Sequence, residues 1–187
     1  MALINSKNLP LKTKLQHFAL EDPDNRAYTS KEIKGENGLL IFIACNHCPY
    51  TQILWERMVE IYEFAKKIDV GVLAINPNIH PNYPEDSPSY MRDKIEEFDI
   101  KFPYLIDARQ IVVKSLDAVC TPEIFLFDKK DELFYHGRMD DSEKDPQNVK
   151  KEELREALMA LFSQKEAPKE QNPSLGCSIK WHDTILG

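Results

Sequence analysis

The sequence predicts an α/β fold, a mixed central sheet with helices on both faces, and three observations carry that expectation. Two continuous apolar runs of strand length, "GLLIFIAC" and "VGVLAIN", read as strands covered on both faces. Between them Leu54, Met58, Ile61, Ala65 and Ile68 recur at four and three residues, with Glu56, Arg57, Glu60, Glu63, Lys66 and Lys67 on the other face, which is an amphipathic helix. Further on, "EIFLFD" and "LFYHGRM" flank the turn "KKDE" and form an antiparallel hairpin. A strand, helix and strand in succession close right-handed, and the hairpin makes the sheet mixed.

Each element has its own signal. Short apolar alternations around "KLQHFAL" and "RAYTS", separated by the turn cluster "EDPDN", predict a leading β-hairpin, followed by a turn of helix near Ser30 to Ile33. The long helix starts at Pro49, a residue suited to the first helical position because its missing N–H would have no partner there. "NPNIHPNYPEDSP" is too rich in proline and asparagine to be other than a loop, one that either gates or covers a site. Helix resumes at about Ser89 to Phe98; "FPYLID" is a short strand, and a brief helix lies around Val112 to Leu116. Leu154, Leu158, Leu161 and Phe162 mark a last amphipathic helix. After it the polar linker "SQKEAPKEQNPS" leads to "LGCSIKWHDTILG", expected to dock back through Ile179 and Trp181. The expected organisation is an N-terminal extension over 1–12, a domain over 13–165, and a linker with C-terminal tail over 166–187.

A chain of 187 residues buries a core without metals or disulfides as staples. A formal net charge of −7 argues against nucleic acid or an anionic membrane as partner, since either favours a basic face. The N-terminus lacks the apolar core of a signal peptide, and no stretch approaches the roughly 20 apolar residues of a membrane span. The expected location is therefore the cytoplasm. In that reducing compartment the four cysteines, Cys45, Cys48, Cys120 and Cys177, are not expected to form a static disulfide framework. A close pair there points to catalysis, redox sensing or metal binding.

The stretch "CNHCPY" carries the chemistry. A thiolate is the nucleophile of disulfide exchange, and a helix N-terminus lowers a thiol's pKa because its unpaired N–H groups favour negative charge. Cys48 directly precedes Pro49, so it sits at the helix start and is the better nucleophile, with His47, if protonated, adding to the effect. The other histidines, His17, His80, His136 and His182, have no ligand-like spacing and read as surface or loop residues.

"NHCPY", "INPN", "FPYLID", "TPEIFLFD", "HGRMDDS" and "GCSIKW", in this order over about residues 15 to 181, resemble a subgroup of thioredoxin-like, peroxiredoxin-related redoxins of the AhpC/TSA type. The resemblance implies a thioredoxin-like fold, here with an N-terminal β-hairpin and a docking tail. It leaves two registers. In one, "CNHC" is the family's C-x-x-C and Cys45 attacks; in the other, preferred here, Cys48 takes the first cysteine's place, Pro49 and Tyr50 the inter-cysteine positions and Thr51 the second cysteine's place. Cys48 is then expected to attack and Cys45 to resolve. The resemblance also implies a cis Pro122 facing the thiols, with the backbone of Thr121 offering strand-like hydrogen bonds to an extended substrate. In this topology "GRMDDS" ends near the cysteines, so Arg138 is a candidate to stabilise the thiolate and Asp140 or Asp141 to accept a proton, against a purely structural role as turn residues paired with each other. Cys120 reads as a small buried hydrophobe, and Cys177 as part of the docked tail or a third redox thiol.

The expected activity is that of a thiol-disulfide oxidoreductase or thiol-dependent antioxidant protein, needing no cofactor and no metal. Its expected partners are a thiol or disulfide substrate protein and a cellular dithiol reductant. One alternative is a module holding a soft ion such as Cu(I) through Cys45, Cys48 and His47 or a distant histidine. Another is a peroxidase of peroxiredoxin type, although the threonine such enzymes place three residues before the cysteine is replaced here by Cys45, or by Phe42 in the other register.

Overall fold

Packing between two apolar strands and the helix that joins them sets the frame. β4 (Gly38–Ile43) and β5 (Val70–Asn76) pair in parallel over six residues, and α2 (Pro49–Lys67) connects them. Side chains alternate along β4: Leu40 and Phe42 pack on one face with Leu54, Trp55, Met58, Ile61 and Ala65 of α2, whereas Leu39, Ile41 and Ile43 face the opposite cluster. The computed structural model describes residues 3–7, 9–142 and 144–182. The start of the expected N-terminal extension (1–2) and the end of the expected tail (183–187) lie outside them.

The remaining elements extend this unit into a seven-stranded sheet. β2 (Ala19–Glu21) and β3 (Ala27–Thr29) form the expected hairpin, and α1 (Ser30–Ile33) follows, its N-terminus closed by a reciprocal pair between Thr29 and Glu32. α3 (Pro88–Glu97) precedes β6 (Tyr104–Ile106), which is parallel to β5, and α4 (Ile111–Ser115) leads to the two-residue strand β7 (Cys120–Thr121). β8 (Glu123–Asp128) lies antiparallel to β4, and β9 (Leu133–His136) antiparallel to β8. The sheet order is β3-β2-β6-β5-β4-β8-β9. α3 and α5 (Glu153–Phe162) join α2 on one face through Met91, Leu154, Ala157 and Leu158, and α4 covers the other through Val112 and Val113. This is the expected mixed α/β sheet.

The tail does more than dock. β10 (Leu175–Ser178) inserts between β1 (Leu3–Asn5) and β7, antiparallel to both, and makes a second, three-stranded sheet. Gly176 is required there: a Cβ would lie 2.2 Å from the backbone oxygen of Thr121. Ile179 is buried as expected, but Trp181 is 48% exposed, with the Lys114 ammonium over its ring. Trp181 therefore does not anchor the tail. His136 is also not a surface residue: it is 2% exposed, accepts the Leu9 N–H at Nδ1, donates from Nε2 to Glu123 at 2.8 Å, and stacks on Phe125. Strand alternation turns it inward, and Glu123 satisfies it there.

Candidate active site

The C-terminal end of β4 and the start of α2 deliver the two thiols. Cys45 lies two residues past the strand, and Cys48 is the N-cap of α2 with extended backbone, Pro49 following at the first helical position. The chain must leave the sheet and enter the helix within a few residues, so both sulfurs face the same buried space. Neither cysteine exposes any surface. All four cysteines are free thiols.

Opposite them stands β7. The Thr121–Pro122 peptide bond is cis, and Thr121 is fully buried. Its hydroxyl lies 3.2 Å from the Cys45 sulfur, and its carbonyl accepts from the Cys48 thiol at 3.0 Å. Cys177 of β10 is the register partner of Thr121 and packs with Cys45 and Cys48 in one cluster, which Tyr50 flanks. Three thiols, two from the β4–α2 turn and one from β10, thus share one site.

The environment separates their acidities. Cys48 is held down to about 4, chiefly by the Cys45 thiol donating to its sulfur; burial opposes this, and the Cys177 thiol and the backbone N–H groups of Thr51 and Cys177 assist. The Thr121 carbonyl favours the protonated form and works against the drop. The helix end contributes through the Thr51 N–H, but the neighbouring thiol contributes more than the sequence argument allowed. Cys45 is pushed well up by burial, by its hydrogen bond to Cys48 and by the nearby Asp86 carboxylate. Cys177 is pushed up to about 12 by burial and by its bond to Cys48. One sulfur is thus set to ionise between two that keep their protons.

His47 takes another part than the one expected. Its Nδ1 bonds Asp86, and its ring stacks on Tyr83 with centroids 5.2 Å apart, so its bonded nitrogen is spent on the loop carboxylate rather than on the Cys48 sulfur. Asp86 is fully buried and also accepts the backbone N–H of Asn46 at 2.6 Å and the Asn76 side-chain amide at 3.3 Å. The proline-rich loop therefore supplies a buried carboxylate that ties down the turn between the cysteines. Among the described residues Cys45, His47 and Asp86 are also the one group able to hold a metal ion, their donor atoms lying within 4.8 Å of one another. Asp86 was not singled out in the sequence; an acidic residue in a loop before a helix gives no local signal of burial.

Pro122, Arg138 and Asp140 line one small crevice with Leu54 and Leu175. The Arg138 guanidinium pairs with Glu153 at 2.5 Å, and Asp140 accepts from Arg57 at 2.5 Å and from the Ser142 N–H. Among the described residues these charged partners, Glu153 and Arg57, lie on α5 and α2 and not among the thiols. Asp141 accepts from the N–H groups of Lys150 and Lys151. Cys120 is buried, its thiol 3.6 Å from Glu123 and pushed up by burial and that carboxylate. Thr51 is fully buried, and its hydroxyl has no partner among the described residues.

Comparison with known proteins agrees with this architecture. An uncharacterized conserved protein from Geobacillus kaustophilus is 37% identical, with a TM-score of 0.91 over 98% of each chain. A hypothetical protein from Sinorhizobium meliloti 1021 is 33% identical, with a TM-score of 0.88 over 95% of this chain and 98% of that one. The thioredoxin domain of a thiol-disulfide oxidoreductase from Bacteroides vulgatus shares the fold at 16% identity, with a TM-score of 0.57 over 69% of this chain and 89% of that one. No curated protein sequence matches the chain. The model of the AhpC/TSA family matches residues 11–136, which hold the thiol pair, the cis proline and the strands that carry them. The chain belongs to the AhpC/TSA family and has a thioredoxin-like fold.

Proposed function

We propose that the protein is a thiol-disulfide oxidoreductase in which Cys48 attacks as a thiolate and Cys45 resolves the mixed disulfide. The observation that carries this reading is the placement of Cys48 at the helix start, clustered with Cys45 against the cis Thr121–Pro122 segment, and the low pKa of about 4 this environment gives Cys48 accords with it. The thiolate attacks one sulfur of a substrate disulfide and expels the other as a thiolate; Cys45 then attacks the Cys48 sulfur, expels the substrate's second thiolate and passes on its proton. Thr121 and Pro122 bound the site, and Asp86 with His47 fixes the turn that sets the sulfur positions. Burial is the largest cause that raises Cys45 and persists in the mixed disulfide, but its bond to Cys48 and its repulsion from the Cys48 charge are relieved there, which lowers its pKa from the resting value.

The substrate class is a protein disulfide or thiol, and the electron donor a cellular dithiol in the cytoplasm. Reduction of insulin disulfides driven by dithiothreitol tests the proposal: wild type turns over, Cys120→Ser retains the activity and Cys48→Ser loses it. Equal activity of wild type and Cys48→Ser defeats it.

A second reading rests on the convergence of Cys45, His47 and Asp86. A soft or borderline ion would find one sulfur, one nitrogen and one oxygen there, with Cys48 adjacent. Metal bound stoichiometrically by the reduced protein and lost in Asp86→Asn supports it. Against it, Asp86 already accepts two N–H groups, a side-chain amide and the imidazole, which leaves little of its charge for an ion.

A further inference from the structure

Cys177 is held in the site from both sides. β10 bonds β7 along one edge and β1 along the other; Ser6 donates to the Ser174 carbonyl at 2.8 Å, and Ile179 to the Val119 carbonyl at 2.9 Å. The Lys180 N–H donates to the Asn78 side chain at 2.9 Å, and the Gln110 side chain donates to the Lys180 carbonyl. The strand lies where an extended substrate would pair with Thr121, and it brings a cysteine to the register position opposite that residue. Gly176 allows this approach, since any side chain there would strike the Thr121 carbonyl. The Cys48 thiol donates to the same carbonyl at 3.0 Å, and Cys177 packs with Cys48 and Cys45 in one buried cluster. Of the three clustered cysteines Cys177 is the one whose residue is not wholly buried, at 5% exposed against none for Cys45 and Cys48.

We propose that Cys177 is a third catalytic thiol, which takes over the disulfide from Cys45 and presents it to the reductant. This rests on the oxidoreductase reading of Cys48 and Cys45. Starting from a Cys45–Cys48 disulfide, the Cys177 sulfur attacks Cys48; the Cys48–Cys177 bond forms, the Cys45–Cys48 bond breaks, and Cys45 leaves with the proton that Cys177 gives up. No outside oxidant is needed. A thiolate of the external dithiol then attacks the Cys177 sulfur and expels Cys48. Cys48 is the better leaving group because its thiolate is the more stable. The second thiol of the reductant resolves the mixed disulfide: it attacks the reductant's own bridging sulfur, expels Cys177, and its proton goes to Cys177. Two electrons have passed from the dithiol to the protein, and Cys48 is again a thiolate.

Tryptic mapping separates the states, because Cys45 and Cys48 share the peptide 35–57, Cys177 lies in 170–180 and Cys120 in 115–129. The protein is oxidised with glutathione disulfide and alkylated. Wild type should yield 35–57 cross-linked to 170–180 beside the internal Cys45–Cys48 form, and Cys45→Ser should yield the cross-link as its main product. Cys177→Ser should keep the Cys45–Cys48 disulfide but be re-reduced by dithiothreitol about tenfold more slowly. Absence of the cross-link in both wild type and Cys45→Ser, with the internal disulfide or a Cys48–glutathione adduct present, overturns this proposal and leaves the oxidoreductase reading standing. Re-reduction of Cys177→Ser at the wild-type rate also overturns it. A Cys48 that forms neither disulfide nor adduct overturns both. Wild type is read directly, so the test holds if a variant fails to fold.

Discussion

Replacing Cys45 by alanine removes the donor that does most to hold the Cys48 proton off. A hydrogen bond to a charged group contributes about 1.5–3 kcal/mol. At 1.36 kcal/mol per unit of pKa, its loss raises Cys48 by about 1–2 units. Cys48 begins at about 4, so the variant should titrate near pH 5–6. The Cys177 thiol and the N–H groups of Thr51 and Cys177 remain, which keeps the value below an ordinary thiol's. Ultraviolet thiolate absorbance of the reduced protein across pH reads the change, with Cys48→Ser as the blank. A value in Cys45→Ala that stays within half a unit of wild type would refute the claim that the neighbouring thiol, rather than the helix end, dominates. A return to about 9 would refute the claim that Cys177 and the backbone contribute.

Other consequences follow from the same contacts. Gly176→Ala puts a methyl group against the Thr121 carbonyl, so β10 must part from β7 at a cost of about 1–3 kcal/mol; denaturant unfolding reads the loss, and faster alkylation of Cys48 reads the opening. Asp86→Asn keeps an oxygen for the Asn46 N–H but loses the charged partner of His47, with an expected cost of about 1–3 kcal/mol; wild-type stability in this variant would mean that the loop does not tie the cysteine turn. Stability of the reduced protein should depend on the Cys48 charge. Its folded pKa lies below its ordinary value of 9.0, so the stabilisation is complete above pH 9 and is lost as pH falls through about 4. Relative to Cys48→Ser, wild type should lose up to about 1.4 kcal/mol per pH unit over that window, and a gain on acidification contradicts the assignment. Cys45 and Cys177 are raised, and their opposing contribution enters only above pH 9.

The strands and helices were legible because they obey local rules. "GLLIFI" is β4 in full, α2 begins at Pro49, and the turn of helix at Ser30 to Ile33 appears at those residues. The pairing of the chain ends was not legible, since β1 and β10 are three and four residues long and meet across almost the whole sequence. At the site, the two thiols and the cis proline could be located from motifs, but the direction of His47 could not. It is set by Asp86, 39 residues away in a loop whose proline content signals only irregular backbone. The motifs "INPN" and "GCSIKW" also acquire a physical meaning only in three dimensions. Asn76 donates to Asp86, Asn78 receives the Lys180 N–H, and Gly176 and Cys177 bring the tail against Thr121 and Cys48. Arg138 and Asp140 show the opposite error: the topology brings them beside Pro122, but partners on α5 and α2 take their charges.

Identifying the sulfur that first reacts with a disulfide tests the central claim most directly. Reduced protein is exposed briefly to limiting glutathione disulfide, and intact mass and tryptic peptides are followed over time. The account predicts that wild type loses two hydrogens, with the new bond involving Cys48, and that Cys48→Ser forms neither disulfide nor adduct on the same timescale. A Cys48→Ser protein that reacts as fast as wild type, through Cys45 or Cys177, would contradict it.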